Sequence, residues 1–182
     1  MAVNMKKKEH WLTEDFPQFI DARLNTPFAW GSNDCALFAA DAIQAITGVD
    51  IADDFRGKYK AKTGAVKAIN SVAGGSTLAD ATSYCAQKHG LPEYEYPLMA
   101  KRGELVLVKN ADGEEIAGVV SLNGRYVFSP GETGLLSIPI TNVTRAWQLP
   151  DEHEWTAPKW HSEYKDKRVE DTSLLALPSQ TN

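Results

Sequence analysis

Apolar residues recur at helical spacing through the first half of the chain and crowd into short runs through the second. Phe16, Phe19, Ile20 and Leu24 share one face of a short helix, with Thr13 or Asp15 as its N-cap and Pro17 tolerated in the first turn, and Thr26-Pro27 ends it. Leu37, Ala40, Ile43 and Ile46 define a second, more apolar helix, capped by Asp34, Asn33 or Ser32 and stopped by Gly48. Ala65, Val66, Ile69 and Val72 mark a third, closed by Gly74-Gly75. Leu78, Ala81, Tyr84 and Cys85 mark a fourth, opening on Ser76 or Thr77 and ending at His89-Gly90, where His89 meets free carbonyls. Between the second and third helices, Val49 to Lys60 reads as a loop in which Arg56 pairs with Asp50, Asp53 or Asp54.

From Gly103 the period changes. Leu105 to Val108 is a buried strand, Asn110 to Gly113 a turn and Ile116 to Leu122 a second strand. Asn123-Gly124 signals a two-residue hairpin into Arg125 to Phe128, Pro130 to Gly134 turns again, and Leu135 to Ile140 and Val143 to Leu149 complete the set. Helices first and antiparallel strands after them predict an α+β fold, N-terminal helices packed on an antiparallel sheet. That domain covers residues 13–150, between an N-terminal arm, 1–12, and an extended C-terminal arm, 151–182.

At 182 residues, 43% of them hydrophobic and 24% charged, the chain is sized for one domain with an ordinary core. A net charge of −5 is the wrong sign for a phosphate backbone, so nucleic acid is not an expected partner. No run reaches the roughly 18 apolar residues of a membrane span. Lys6-Lys7-Lys8 is followed by Trp11-Leu-Thr-Glu-Asp15 without an apolar core, so it reads as a solvated arm rather than a secretory signal, and synthesis is expected in the cytoplasm. Cys35 and Cys85 supply no disulfide framework and read as free thiols. No metal or cofactor is expected: Asp50, Asp53 and Asp54 lack the spacing of a calcium loop, and His153 and His161 lack cysteine partners for zinc. The C-terminal arm is charged yet holds Trp155, Trp160 and Tyr164, aromatic anchors for a neighbouring subunit or for the arm's own domain.

The chemistry concentrates in Phe28-Ala-Trp-Gly-Ser-Asn-Asp-Cys35. This stretch puts the Cys35 sulfur at the N-terminus of the second helix, where free N–H groups and the helix dipole favour a thiolate, with Trp30, Gly31 and Asp34 around the cleft. The plainer alternative is a small core cysteine.

Trp30-Gly31-x-x-Asp34-Cys35-x-x-Phe38, with Arg102-Gly-Glu-Leu-Val-Leu-Val108, resembles the NlpC-type cysteine peptidases of the papain-like superfamily. Asp34 to Ala42, Thr47 to Asp50 and Phe55-Arg56-Gly57-x-Tyr59 are similar to a group of small tailed-phage and prophage proteins related to that superfamily, over about Phe16 to Leu149. The resemblance implies a papain-like, NlpC-like fold with Cys35 as nucleophile and a histidine base on a strand facing it. Here that strand reads Ile116-Ala-Gly-Val119, with isoleucine in the histidine's place, and Tyr126-Val-Phe128 fills the strand where an orienting polar group belongs. It therefore implies a degenerate peptidase, leaning against catalysis, used as a structural module of a phage virion. The expected place is the tail tip or baseplate, with other tail subunits as partners. Two alternatives are carried. One is an active cysteine hydrolase cleaving host peptidoglycan peptides; the other is a soluble module whose Trp30 groove holds a peptide or small ligand.

Overall fold

The computed structural model describes residues 5–151. Trp155, Trp160 and Tyr164, with the histidines at 153 and 161, lie outside the described residues. A π-helical turn, Trp11–Asp15, runs directly into α1, Phe16–Arg23. Asp15 is already helical at φ −62° and ψ −48°, so it meets no orphan N–H, and neither it nor Thr13 acts as a cap. Asp15 instead pairs with Lys8 at 3.1 Å. Phe16 and Ile20 are buried, whereas Leu24, expected on the same face, falls beyond the helix and is 48% exposed.

The central helix is α2, Cys35–Thr47, running from Asp34 to a left-handed Gly48 cap. Leu37, Phe38, Ile43 and Ile46 fill its inner surface, while Ala39, Ala40 and Ala42 let neighbouring elements approach closely. Phe38 packs against Phe19 of α1 with 5.3 Å between ring centroids and the rings tilted by 45°. Two further helices follow, α3, Lys62–Ala73, and α4, Leu78–Lys88. Gly74 ends α3 in the left-handed conformation, and Thr77 and Asp80 form a reciprocal capping box at the start of α4. His89 Nδ1 lies 2.9 Å from the Cys85 carbonyl at the end of α4, the terminal role its position predicts. Only Ala65 and Ala68 of α3 are buried, so this helix is thinly seated.

Five antiparallel strands follow: β1, Leu105–Lys109; β2, Glu115–Val120; β3, Tyr126–Pro130; β4, Leu135–Pro139; and β5, Val143–Trp147. Their order is β4-β3-β2-β1-β5, so the last strand returns to pair with the first. The β2–β3 hairpin closes between Ser121 and Tyr126 with Gly124 left-handed, a longer turn than Asn123-Gly124 alone predicts. Both faces of the sheet are buried. Leu105, Leu107, Ala117, Val119 and Trp147 join the helices, and Val106, Val108, Val120, Val127 and Ile138 form a second cluster on the other side. This explains why β1 reads as an unbroken apolar run rather than an alternating one.

Buried Glu104 stitches the entry of β1 to the exit of β5, its carboxylate accepting the Lys101 N–H at 2.7 Å and the Leu149 N–H at 3.2 Å. The basic N-terminal stretch is partly built into the domain, against the expectation of a solvated arm. Met5 and Lys7 are buried, and the Lys7 ammonium lies 5.0 Å over the Trp11 ring and 2.6 Å from Asp151.

Phe38 is wholly buried on the central helix, so Phe38→Ala is expected to lower stability by about 3–5 kcal/mol, read from urea unfolding at an unchanged m-value.

Candidate functional site

The start of α2 is fixed by one carboxylate. Asp34 Oδ1 accepts the Leu37 N–H at 3.0 Å, capping the helix, while Oδ2 accepts the Gly31 N–H at 2.9 Å and the Tyr59 hydroxyl at 2.8 Å. Asp34 is only 2% exposed, so these donors take the place of water. Gly31 has φ +75°, and a Cβ there would sit 2.1 Å from the Tyr59 carbonyl oxygen. Glycine is therefore required where the loop crosses the backbone of residue 59. Trp30 stays 40% exposed, edge-on to Phe28 at 5.0 Å.

The loop before α2 is tied on both sides. Phe28 N–H donates to the Gly131 carbonyl at 2.8 Å, and Leu135 N–H donates to the Leu24 carbonyl at 3.0 Å, which hangs the loop on the β3–β4 turn. Asn33 Nδ2 donates to the Pro27 carbonyl at 3.0 Å, and Asn33 Oδ1 accepts from Arg23 at 2.8 Å. Arg23 also reaches Asp41 at 2.9 Å, and Asp41 is shared with Arg56, which grips Asp50 through its Nε. Charges alternate along this chain of partly buried groups, so each side chain is neutralised by its neighbours. Arg56 thus takes Asp50 of the three expected carboxylates, together with Asp41, and Asp53 and Asp54 pair with Lys88 instead.

Cys35 keeps part of its surface at a cavity but is not a thiolate. Burial pushes its thiol up to about 11, a backbone hydrogen bond from Ala117 on β2 pulls it down, and the Asp34 carboxylate pushes it up again. The favourable helix terminus is therefore outweighed, and the expectation of a stabilised thiolate is corrected: the sulfur is protonated at neutral pH. Ile116 was expected to face this sulfur. It borders the cavity but packs with the cluster on the far side of the sheet, and the β2 residue in reach of the sulfur is Ala117, through its backbone. The change of one position leaves a hydrocarbon side chain opposite the cysteine in either case.

In front of Cys35 lies a cavity of about 380 Å³ between α2, α3, α4 and β2. Trp30, Asp34 and Cys35 are among its lining residues, whereas Gly31, expected at the cleft with them, is not. Cys85, Val66 and Ala81 were not anticipated, because helical spacing marks them only as core positions. Tyr59 closes the Phe55-Arg56-Gly57-x-Tyr59 stretch without standing out there as a site residue; an aromatic hydroxyl carries no signal of its buried partner until the fold supplies it. Among the described residues, no group of histidine, cysteine and carboxylate side chains could hold a metal ion. No described helix is long and apolar enough to cross a membrane.

The class defined by this geometry is an α+β domain with a capped cysteine helix facing an antiparallel sheet. A family model described as a domain of unknown function, DUF6950, matches residues 6–149, and the chain belongs to that family. No curated protein and no solved structure matches it.

Tyr59→Phe leaves one Asp34 oxygen short of a buried donor and is expected to lower stability by about 1–3 kcal/mol in chemical denaturation. The Cys35 thiol has a folded value near 11 against 9.0 in an unperturbed chain, so the unfolded state loses its proton first as pH rises. Stability is therefore expected to fall between pH 9.0 and 11, less steeply in Cys35→Ala, and at pH 8 Cys35 should alkylate about a hundredfold more slowly than a model thiol.

Proposed function

We propose that the chain is a tailed-phage virion component, at the tail tip or baseplate, in which a degenerate NlpC-like, papain-like fold serves as a structural module. The observation that carries this reading is the surroundings of Cys35: Ala117 is the β2 residue in reach of its sulfur, Asp34 and Tyr59 beside it are bonded to each other, and burial pushes the thiol up to about 11. Amide hydrolysis needs a thiolate to attack and an acid to protonate the leaving amine. A thiol at that value leaves about one part in ten thousand ionised at pH 7. Asp34 and Tyr59, the polar side chains beside the cysteine, are consumed in holding the loop and helix together. What a peptidase would keep free for chemistry is spent here on rigidity, as a load-carrying subunit requires. In this reading the chain is made in the host cytoplasm, and residues 151–182, through Trp155, Trp160 and Tyr164, contact neighbouring tail subunits.

A second reading, a ligand-binding module, is favoured by the cavity in front of Cys35. The hydrolase alternative has no comparable support, since among the described residues no histidine lines the cavity beside Cys35.

The test combines location and chemistry. Mass spectrometry of purified virions, from a lysogen encoding the chain, is expected to find it, with Cys35→Ala virions assembling normally. Purified peptidoglycan should release no muropeptides with wild type beyond the Cys35→Ala level. Cys35-dependent release, or absence of the chain from virions, overturns the proposal.

A further inference from the structure

The cavity beside Cys35 has an interior and a mouth of different character. Its deep walls are apolar and buried, with Leu37, Ala40, Phe55, Ala81 and Leu105 among them. The mouth is marked by lining residues that are exposed: Trp30, Lys62, Val66, Glu114 and Glu115. Trp30 and Val66 leave 40% and 43% of their surfaces open.

Polar atoms in the wall are already spoken for. Asp34 and Tyr59 bond each other, and the Thr82 hydroxyl donates to the Leu78 carbonyl at 2.8 Å. Among the described residues, no buried side-chain nitrogen or oxygen lacks a hydrogen-bond partner. A polar molecule entering this interior would be stripped of water for few hydrogen bonds in exchange, whereas an apolar one gains by leaving water. Among the charged residues that line the cavity, three carboxylates, Asp34, Glu114 and Glu115, stand against one ammonium, Lys62, so the local field disfavours a further anion. The volume, about 380 Å³, lies within the range of small-molecule pockets.

We propose that this cavity is a binding site for a small amphiphile, whose hydrocarbon body lies between α2, α3 and α4 and whose neutral or cationic end sits at the mouth formed by Lys62, Glu114 and Glu115. This deepens the ligand-binding reading and is independent of the virion assignment, because it rests on the wall and the mouth alone. The thin seating of α3 gives the ligand its entry: Ala65 and Ala68 are the helix's buried side chains, and small residues leave space that larger ones would close.

Decylamine, decanol and decanoate, each below its micelle concentration, are titrated into the full chain by calorimetry. The amine and the alcohol are expected to bind saturably with a negative heat-capacity change, and the carboxylate at least about tenfold more weakly. Ala81→Leu and Ala65→Leu each fill part of the void and should weaken the amine and the alcohol by about tenfold or more, with a cooperative unfolding transition showing that the variant is folded. Glu114→Gln with Glu115→Gln should narrow the gap between amine and carboxylate. If the filled variants prove unstable, protection of Cys35 from a neutral maleimide by decanol in the wild-type chain decides the matter. Equal binding to wild-type and folded filled variants, a preference for the carboxylate, or an unchanged Cys35 modification rate at saturating decanol overturns the proposal.

Discussion

A single buried carboxylate organises the functional end of this molecule. Asp34 holds three donors that come from three places in the sequence: the first turn of α2, the aromatic-glycine loop and the loop after α2. Its charge is stabilised by those donors rather than by water, which is the condition under which a buried anion favours folding. The same charge stands next to a thiol. Helix-terminal amides draw the sulfur toward ionisation, but desolvation and the neighbouring anion drive it the other way, and they win. Architecture and nucleophilicity compete for the same few ångströms.

The alternating series from Asn33 through Arg23, Asp41 and Arg56 to Asp50 extends that organisation outward. It joins α1, α2 and the loop after α2 through directional contacts, where apolar packing alone would leave the loops free to slide. Arg23 also lies 5.1 Å over the Phe19 ring, and Phe19 packs against Phe38, so the polar series and the apolar core share a boundary. On the far side the aromatic-glycine loop is bonded to the β3–β4 turn, so the entry to α2 is referenced to the sheet as well as to the helices.

Much of this was legible where a signal is local. Asp34, Gly48, Gly74 and Thr77 mark helix ends because the physics of caps acts within a turn, and they lie where that physics puts them. The α+β order and the antiparallel strands were legible from the change of hydrophobic period. What escaped depends on partners far away in the chain. Lys7 reads as solvated until Asp151 and the Trp11 ring are folded against it. Ile116 and Ala117 could not be assigned to faces because β2 is covered on both sides, which erases the alternation that would have told them apart. The cavity was invisible for a related reason: it results from what α3 lacks, and a run of small residues names no empty space.

That empty space bears on the volume of the folded state as well as on its surface. Unfolding removes internal voids, so whatever part of the roughly 380 Å³ beside the central helix is kept from water adds to the volume lost on unfolding. Hydrostatic compression therefore acts on the elements that wall this space, α2, α3, α4 and β2.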